Sequence, residues 1–261
     1  MNKLFELSPG VPARTKGGSM KRLSPFLLCA MLAVCPAFAV ERPVNLGSAA
    51  QFAVFGAAGV TNTGNTVITG DLGVYPIAGT AITGFLPMTA GGPGNVNGTI
   101  YTPTQVCTPT LCTTETTTTA RLAEASISIA YDEAKRRPCA PCTLENGANL
   151  GGRTLTPGLY KSATTIAITN VLYLSGKGVY IFQIGSGLTV NVGAQVVLEN
   201  GATSADIFWQ VGTAAILEAD VQFEGTILAG TAITMGSGTT LTGRALAQTD
   251  VTFIDDTVTL P

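Results

Sequence analysis

Few residue types in this chain could do chemistry. Its 261 residues include no histidine, which removes Ser-His-Asp and Cys-His nucleophiles, imidazole metal sites and histidine pH switches. Paired carboxylates are the next route, and glycoside hydrolysis needs two of them about 5–9.5 Å apart across a cleft. Glu218 and Asp220 would point the same way on one strand, with Glu224 near, but the expected place for them is a solvated turn. Asp255 and Asp256 are adjacent and face opposite sides if extended. Arg153, Lys161, Lys177 and Arg244 are scattered and form no evident group. The expectation is that the protein is not an enzyme, and no metal or organic cofactor is implied.

Cysteines offer a second chemistry. Cys107, Cys112, Cys139 and Cys142 lie beyond the N-terminal region, and Cys29 and Cys35 within it. The segment between the two downstream pairs, about 114–137, reads as a helix. Ala120, Ala123, Ile127, Ala130 and Ala134 recur at spacings of three and four, and Pro138 ends the pattern. Such a helix is roughly 36 Å long. Bonds between the pairs would require the upstream loop to run back along all of it, so the local disulfides Cys107–Cys112 and Cys139–Cys142 are expected. A zinc site on these four cysteines fails on the same geometry. No thioredoxin-like βαβ pattern surrounds Cys139-Ala-Pro-Cys142 to make it a redox motif.

The N-terminus has the three parts of a secretory signal. Met20-Lys21-Arg22 precedes an apolar run from Leu23 to Val34, and Ala37-Phe38-Ala39 is a small-x-small cleavage site. The run is too short to span a bilayer, which takes roughly 20 residues. Residues 1–19 read as an upstream extension or a mis-assigned start, 20–39 as the signal peptide, and 40–261 as a single mature domain. Cutting after Ala39 leaves nine basic and 15 acidic residues, an acidic, secreted domain. Charged residues are only 11% of the chain, against about 25% in an average protein. That excludes the concentrated basic surface of a nucleic-acid binder, and no membrane association is expected.

The elements that carry the remaining residues follow from a repeat. Phe208–Gly225, Thr226–Gly243 and Arg244–Pro261 stack without a gap at a period of 18. A weaker upstream copy aligns Phe182-Gln183-Ile184-Gly185-Ser186 with Trp209-Gln210-Val211-Gly212-Thr213. Short β-branched runs separated by turn residues at such a period predict a β-solenoid with about three strands per coil. Alternation places Ala215, Leu217, Ile233, Met235, Val251 and Phe253 inside. It leaves an outward ladder of Thr189, Ile216, Thr234 and Thr252.

Several phrases in order then resemble the ice-binding-protein-like family of secreted antifreeze proteins. They include Val60-Thr61-Asn62-Thr63-Gly64, Thr69-Gly70-Asp71-Leu72-Gly73-Val74-Tyr75-Pro76, Leu155-Thr156-Pro157-Gly158-Leu159-Tyr160, Phe208-Trp209-Gln210-Val211-Gly212 and Gly243-Arg244-Ala245-Leu246-Ala247. The resemblance covers Asn45 to Leu260. It implies an all-β fold with one long helix: a right-handed triangular β-solenoid with the helix packed alongside and N-terminal strands joining out of sequence order. It also implies a structural role for Arg244. Ice-active members carry Thr-(Ala/Gly)-x-(Thr/Asn) motifs, found here at Thr63–Thr66, Thr80–Thr83 and Thr231–Thr234. The implied ice-facing residues are Thr63, Thr66, Thr80, Thr83, Thr189, Ala232, Thr234 and Thr252. The equivalent positions of neighbouring coils depart from the motif, and Asp250 puts a hydrated charge in that face.

Ice demands area, flatness and regular spacing rather than a pocket. Outward residues of a β-solenoid repeat at about 4.8 Å between coils and about 6.8 Å along a strand, roughly commensurate with ice. The Thr hydroxyl can join the water network while its methyl orders neighbouring water. The expected function is therefore a secreted monomer whose partner is an ice crystal surface. The alternative is an extracellular structural or adhesive module of the same fold.

Overall fold

The computed structural model describes residues 41–86, 92–103, 114–139, 142–144 and 147–261. All described residues belong to one compact unit. That unit is mostly β with one long helix. Every strand pairing among the described residues is parallel.

A seven-stranded sheet stacks Ile166–Ile168, Leu188–Val190, Ala215–Leu217, Ile233–Met235, Asp250–Ile254, Gly59–Thr63 and Ile82–Thr83 in that order. A larger sheet forks. One branch runs from Val171–Ser175 and Gln195–Glu199 through the first halves of Gln222–Ala229 and Thr240–Ala247 to Thr257–Thr259, Val67–Thr69 and Gly94–Asn97. The other runs from Gly158–Ser162, Tyr180–Ile184 and Ile207–Val211 through the second halves of the same long strands to Phe52–Gly56 and Asp71–Val74. The fork lies at Gly225 and Gly243, which pair with each other. Gly225 has φ +107°, and a Cβ there would sit 2.7 Å from that of Ile207, so the bend requires glycine.

The N-terminal strands enter the stack out of sequence order. Gly59–Thr63 lies beside Asp250–Ile254, and Val67–Thr69 beside Thr257–Thr259. The 18-residue spacing holds where Phe208 pairs with Thr226 and Thr226 with Arg244. Upstream the tiers are longer. Gly158 pairs with Tyr180, and Tyr180 with Ile207, steps of 22 and 27 residues. The longer step accommodates the 3-10 turn Ser204–Asp206.

Alternate residues fill the interior. Ala215, Leu217, Ile233, Met235, Val251 and Phe253 are all fully buried. Tyr160, Phe182, Trp209 and Phe223 stack in successive tiers, with the Phe182 and Trp209 rings 3.8 Å apart and nearly parallel. The helix, Thr114–Arg136, forms because small apolar residues repeat every three or four positions. Ala123, Ile127, Ala130, Tyr131 and Ala134 pack against Ile181, Phe208, Leu228, Leu246 and Phe55. Lys135 and Arg136 in its last turn suit the negative end of the helix dipole. Gln183 donates to the orphan carbonyls of Ala134 and Arg137 at 2.8 and 2.9 Å. Just beyond, Arg137 pairs with Glu133 and Glu41 and donates to the carbonyls of Arg42 and Pro43. Cys139 and Cys142 form a disulfide with Cα atoms 4.9 Å apart, whereas Cys107 and Cys112 lie outside the described residues.

Candidate functional site

The outer side of the seven-stranded sheet carries one continuous central ladder. Ala167 is in register with Thr189, then Ile216, Thr234, Thr252, Thr61 and Thr83. Each strand places its flanking residues inward, as with Ile233 and Met235 around Thr234, and buries them. The Thr side chains are β-branched and hold few rotamers, so the ladder is stiff. On one side lies a row of small residues. Gly59 is in register with Asp250, and Ala214, Ala232 and Ala81 occupy equivalent places. On the other side Thr63 is in register with Ile254.

Of the residues singled out from sequence, Thr83, Thr189, Thr234 and Thr252 share the central ladder. Ala232 and Thr63 stand in its flanking rows. Thr80 is exposed in the 3-10 turn Gly79–Ala81 that leads into Thr83, outside the strand pairing. Thr66 is a correction: it is fully buried. The motif Thr63–Thr66 crosses the corner between two strands, where Gly64 has φ +91°. There the Thr66 hydroxyl turns inward and accepts the Asp256 N–H at 3.0 Å. Thr61 and Ala167 complete the ladder and were missed. The alternation of Val60 and Asn62 (buried) with Thr61 and Thr63 (exposed) carries the signal for Thr61.

Three of the carboxylates considered for catalysis, Glu218, Asp255 and Asp256, accept backbone N–H groups. Glu218 accepts the Val192 N–H at 3.0 Å, and Asp255 accepts the Asn65 N–H at 2.6 Å. Glu224 is raised above its ordinary pKa, first by burial. Arg244 donates twice to the Ala50 carbonyl, at 3.0 and 2.8 Å, tying the N-terminal segment to the stack. Burial lowers its pKa.

Asp256 is 1% exposed and accepts backbone N–H groups from Thr239 and Ile254 at 3.0 and 2.7 Å. Burial outweighs these donors and, with Asp255 adding repulsion, pushes its pKa up to about 7. A raised carboxyl pKa stabilises the fold in full below its ordinary value near 4. That stabilisation is lost as pH rises through 7, at about 1.4 kcal/mol per unit of separation. Glu224 acts in the same sense. The melting temperature should therefore rise as pH falls from 8 to 5, and Asp256→Asn should flatten that rise. A wild-type melting temperature that is flat or falls over this range would exclude a neutral Asp256 in the fold.

The chain's relatives are consistent in kind. The Ice-binding-like family model matches residues 54–259. An ice-binding protein of Flavobacterium frigoris is 38% identical over 221 residues, covering 84% of this chain and 76% of that protein. One from Colwellia is 33% identical over 93% of this chain and 94% of its own length. Among solved structures, an ice-binding protein from an Antarctic biological consortium superposes with a TM-score of 0.75 at 38% identity, covering 85% of this chain and 93% of that one. An Arctic yeast ice-binding protein superposes with a TM-score of 0.75 at 33% identity, covering 85% and 96%. With its family match spanning most of the described strands, the chain belongs to the Ice-binding-like family.

Proposed function

We propose that this chain is exported, loses residues 1–39, and binds the surface of ice as a monomer through the outer side of its seven-stranded sheet. The observation that carries the reading is the register of Thr189, Thr234, Thr252, Thr61 and Thr83 on successive or near-successive strands. Thr234, Thr252, Thr61 and Thr83 follow one another at about 4.8 Å steps, Thr189 stands one strand beyond Ile216 in the same line, and apart from Asp250 the flanking row is small enough to admit a crystal plane. Relatives named as ice-binding proteins in bacteria and fungi support the same reading. The three rows of parallel strands would close into a right-handed triangular solenoid, with coils of about 18 residues at the C-terminal end. The face is a binding surface rather than an active site. Asp250, exposed in the small-residue row, should weaken the match to ice without abolishing it.

The test is ice grown slowly in medium from cells expressing the full chain. The ice fraction should be enriched in a protein whose N-terminal residue is Val40. Exclusion of the protein from ice would end the ice reading and leave the extracellular structural module. Capture of a protein that retains residues 1–19 would end the export reading alone.

A further inference from the structure

We propose that the cleft between the last turn of the helix and the strands beneath it binds a small hydroxylated carboxylate, of the size of a sugar acid. It is distinct from the seven-stranded sheet, and the inference stands whether or not that sheet binds ice. Strand register builds one wall. Lys161 on Gly158–Ser162 pairs with Gln183 on Tyr180–Ile184, and Gln183 with Gln210 on Ile207–Val211. Three polar side chains thus form a column at about 4.8 Å steps. On the next tier the same place is held by Leu228, which belongs to the apolar contact with the helix. Lys135, in the last helical turn, lines the cleft opposite the column. The cleft encloses about 250 Å³, just under the roughly 300–1,000 Å³ of sites for drug-sized ligands, which suits a single sugar ring.

The chemistry of the lining selects the ligand. Gln183 and Gln210 are only 3% and 2% exposed. Gln183 Nε2 donates to the carbonyls of Ala134 and Arg137, which fixes the amide, and its Oε1 is buried with no partner among the described residues. A buried acceptor without a donor is costly, so the site calls for a ligand that donates a hydrogen bond there. Two ammonium groups flank it. Lys135 Nζ lies 5.4 Å from the centre of the Tyr131 ring, and the Tyr131 hydroxyl reaches the carbonyl of Gly212, another lining residue, at 3.5 Å. Lys161 is exposed on the other side. Among the described residues neither lysine pairs with a carboxylate, and no carboxylate lines the cleft. Residues 40–261 carry 15 acidic and nine basic side chains, so two unpaired cations at one cleft favour an anion. The negative end of the helix dipole is close, but it amounts to about half a charge against two, and Gln183 already covers its last carbonyls. A carboxylate between the lysines and a hydroxyl donating to Gln183 Oε1 together describe a hydroxy acid.

The test is titration of the full-length protein with sodium glucuronate, followed by calorimetry and by the side-chain carboxamide signals of Gln183 and Gln210 in NMR. Glucose supplies the hydroxyls without the charge, acetate the charge without the hydroxyls, and inorganic phosphate a different anion. Glucuronate should bind with a Kd of about 1 mM, move both carboxamide signals, and bind about tenfold more tightly than any of the three. Lys135→Gln and Lys161→Gln should each weaken it about tenfold, because each removes a charge-assisted hydrogen bond. Lys177→Gln, in a corner beside Gly201, should bind as wild type does. Circular dichroism melts verify folding, and the two glutamine signals test the site in wild type without any substitution. The site is overturned if folded wild type binds no glucuronate, if the two glutamine signals stay in place, or if Lys135→Gln and Lys161→Gln both bind it as wild type does. Equal affinity for glucose, acetate or phosphate would overturn the hydroxy-acid class.

Discussion

Thr234→Tyr should lower thermal hysteresis and recrystallisation inhibition severalfold while leaving the fold intact. Thr234 sits mid-ladder between Ile216 and Thr252, and its inward neighbours Ile233 and Met235 are fully buried. Only its own side chain changes. Thr234 is half-buried with its side chain outward; Tyr is a good strand residue, and an outward substitution of this kind usually costs little, about 0.5 kcal/mol. The ring would nonetheless stand several ångströms above a row of Thr, Ala and Gly and hold a flat crystal plane away from it. Asp250→Thr should act the other way. Asp250 is in register with Gly59 beside the ladder, and removing its charge removes a hydration shell from the contact plane. Unchanged hysteresis in Thr234→Tyr, with circular dichroism intact, would show that the seven-stranded face is not the contact surface.

Thr66 departed from the sequence reading for a geometric reason. Within a strand, alternation is local, so the inward set from Ala215 to Phe253 and the ladder Thr189, Ile216, Thr234, Thr252 are legible from the chain alone. The alignment of Phe182 with Trp209 is legible too, because both repeat the same aromatic-Gln-aliphatic-Gly phrase, and the strands pair in that register. Corners are different. Thr66 belongs to a motif that looks like its strand counterparts, but Gly64 turns the chain before it and Asp255 anchors the turn through the Asn65 N–H.

Tier length is also a property of the loops. The 27-residue step upstream of Ile207 hides a repeat that is plain where the step is 18. The meeting of the Val67–Thr69 and Thr257–Thr259 strands was invisible for a longer-range reason. Thr69 meets Thr259 only because Val67–Thr69 inserts beside the C-terminal strand, and no local period links residues so far apart in the chain. The role of Gln183 likewise depends on where the end of the helix comes to rest.

The largest loss of stability should come from Trp209→Ala. Trp209 is fully buried and stacked on Phe182 at 3.8 Å with 7° between planes, while Phe223 lies 5.0 Å away on the next tier. Its indole Nε1 donates to the Glu224 carbonyl at 2.9 Å, close to the fork at Gly225. Truncating a buried Trp or Phe to Ala typically costs about 3–5 kcal/mol, and the unpaired carbonyl adds about 1–3 kcal/mol. Against a total stability of about 5–15 kcal/mol, that is a large fraction. A domain of this size loses roughly 2–4 °C of melting temperature per kcal/mol, so a fall of at least about 8 °C is expected. Trp209→Phe separates the two contributions: it keeps an aromatic ring in the stack and loses chiefly the hydrogen bond and the extra ring area, so its cost should be well under half that of Ala. In stacked architectures neighbouring tiers stabilise one another. Hydrogen exchange in Trp209→Ala should therefore accelerate first in Tyr180–Ile184 and Gln222–Ala229, the strands on either side, and only later in Gly59–Thr63. Equal melting temperatures for the Ala and Phe variants would mean that the aromatic stack is not the continuous core that joins the long upstream tiers to the regular ones below.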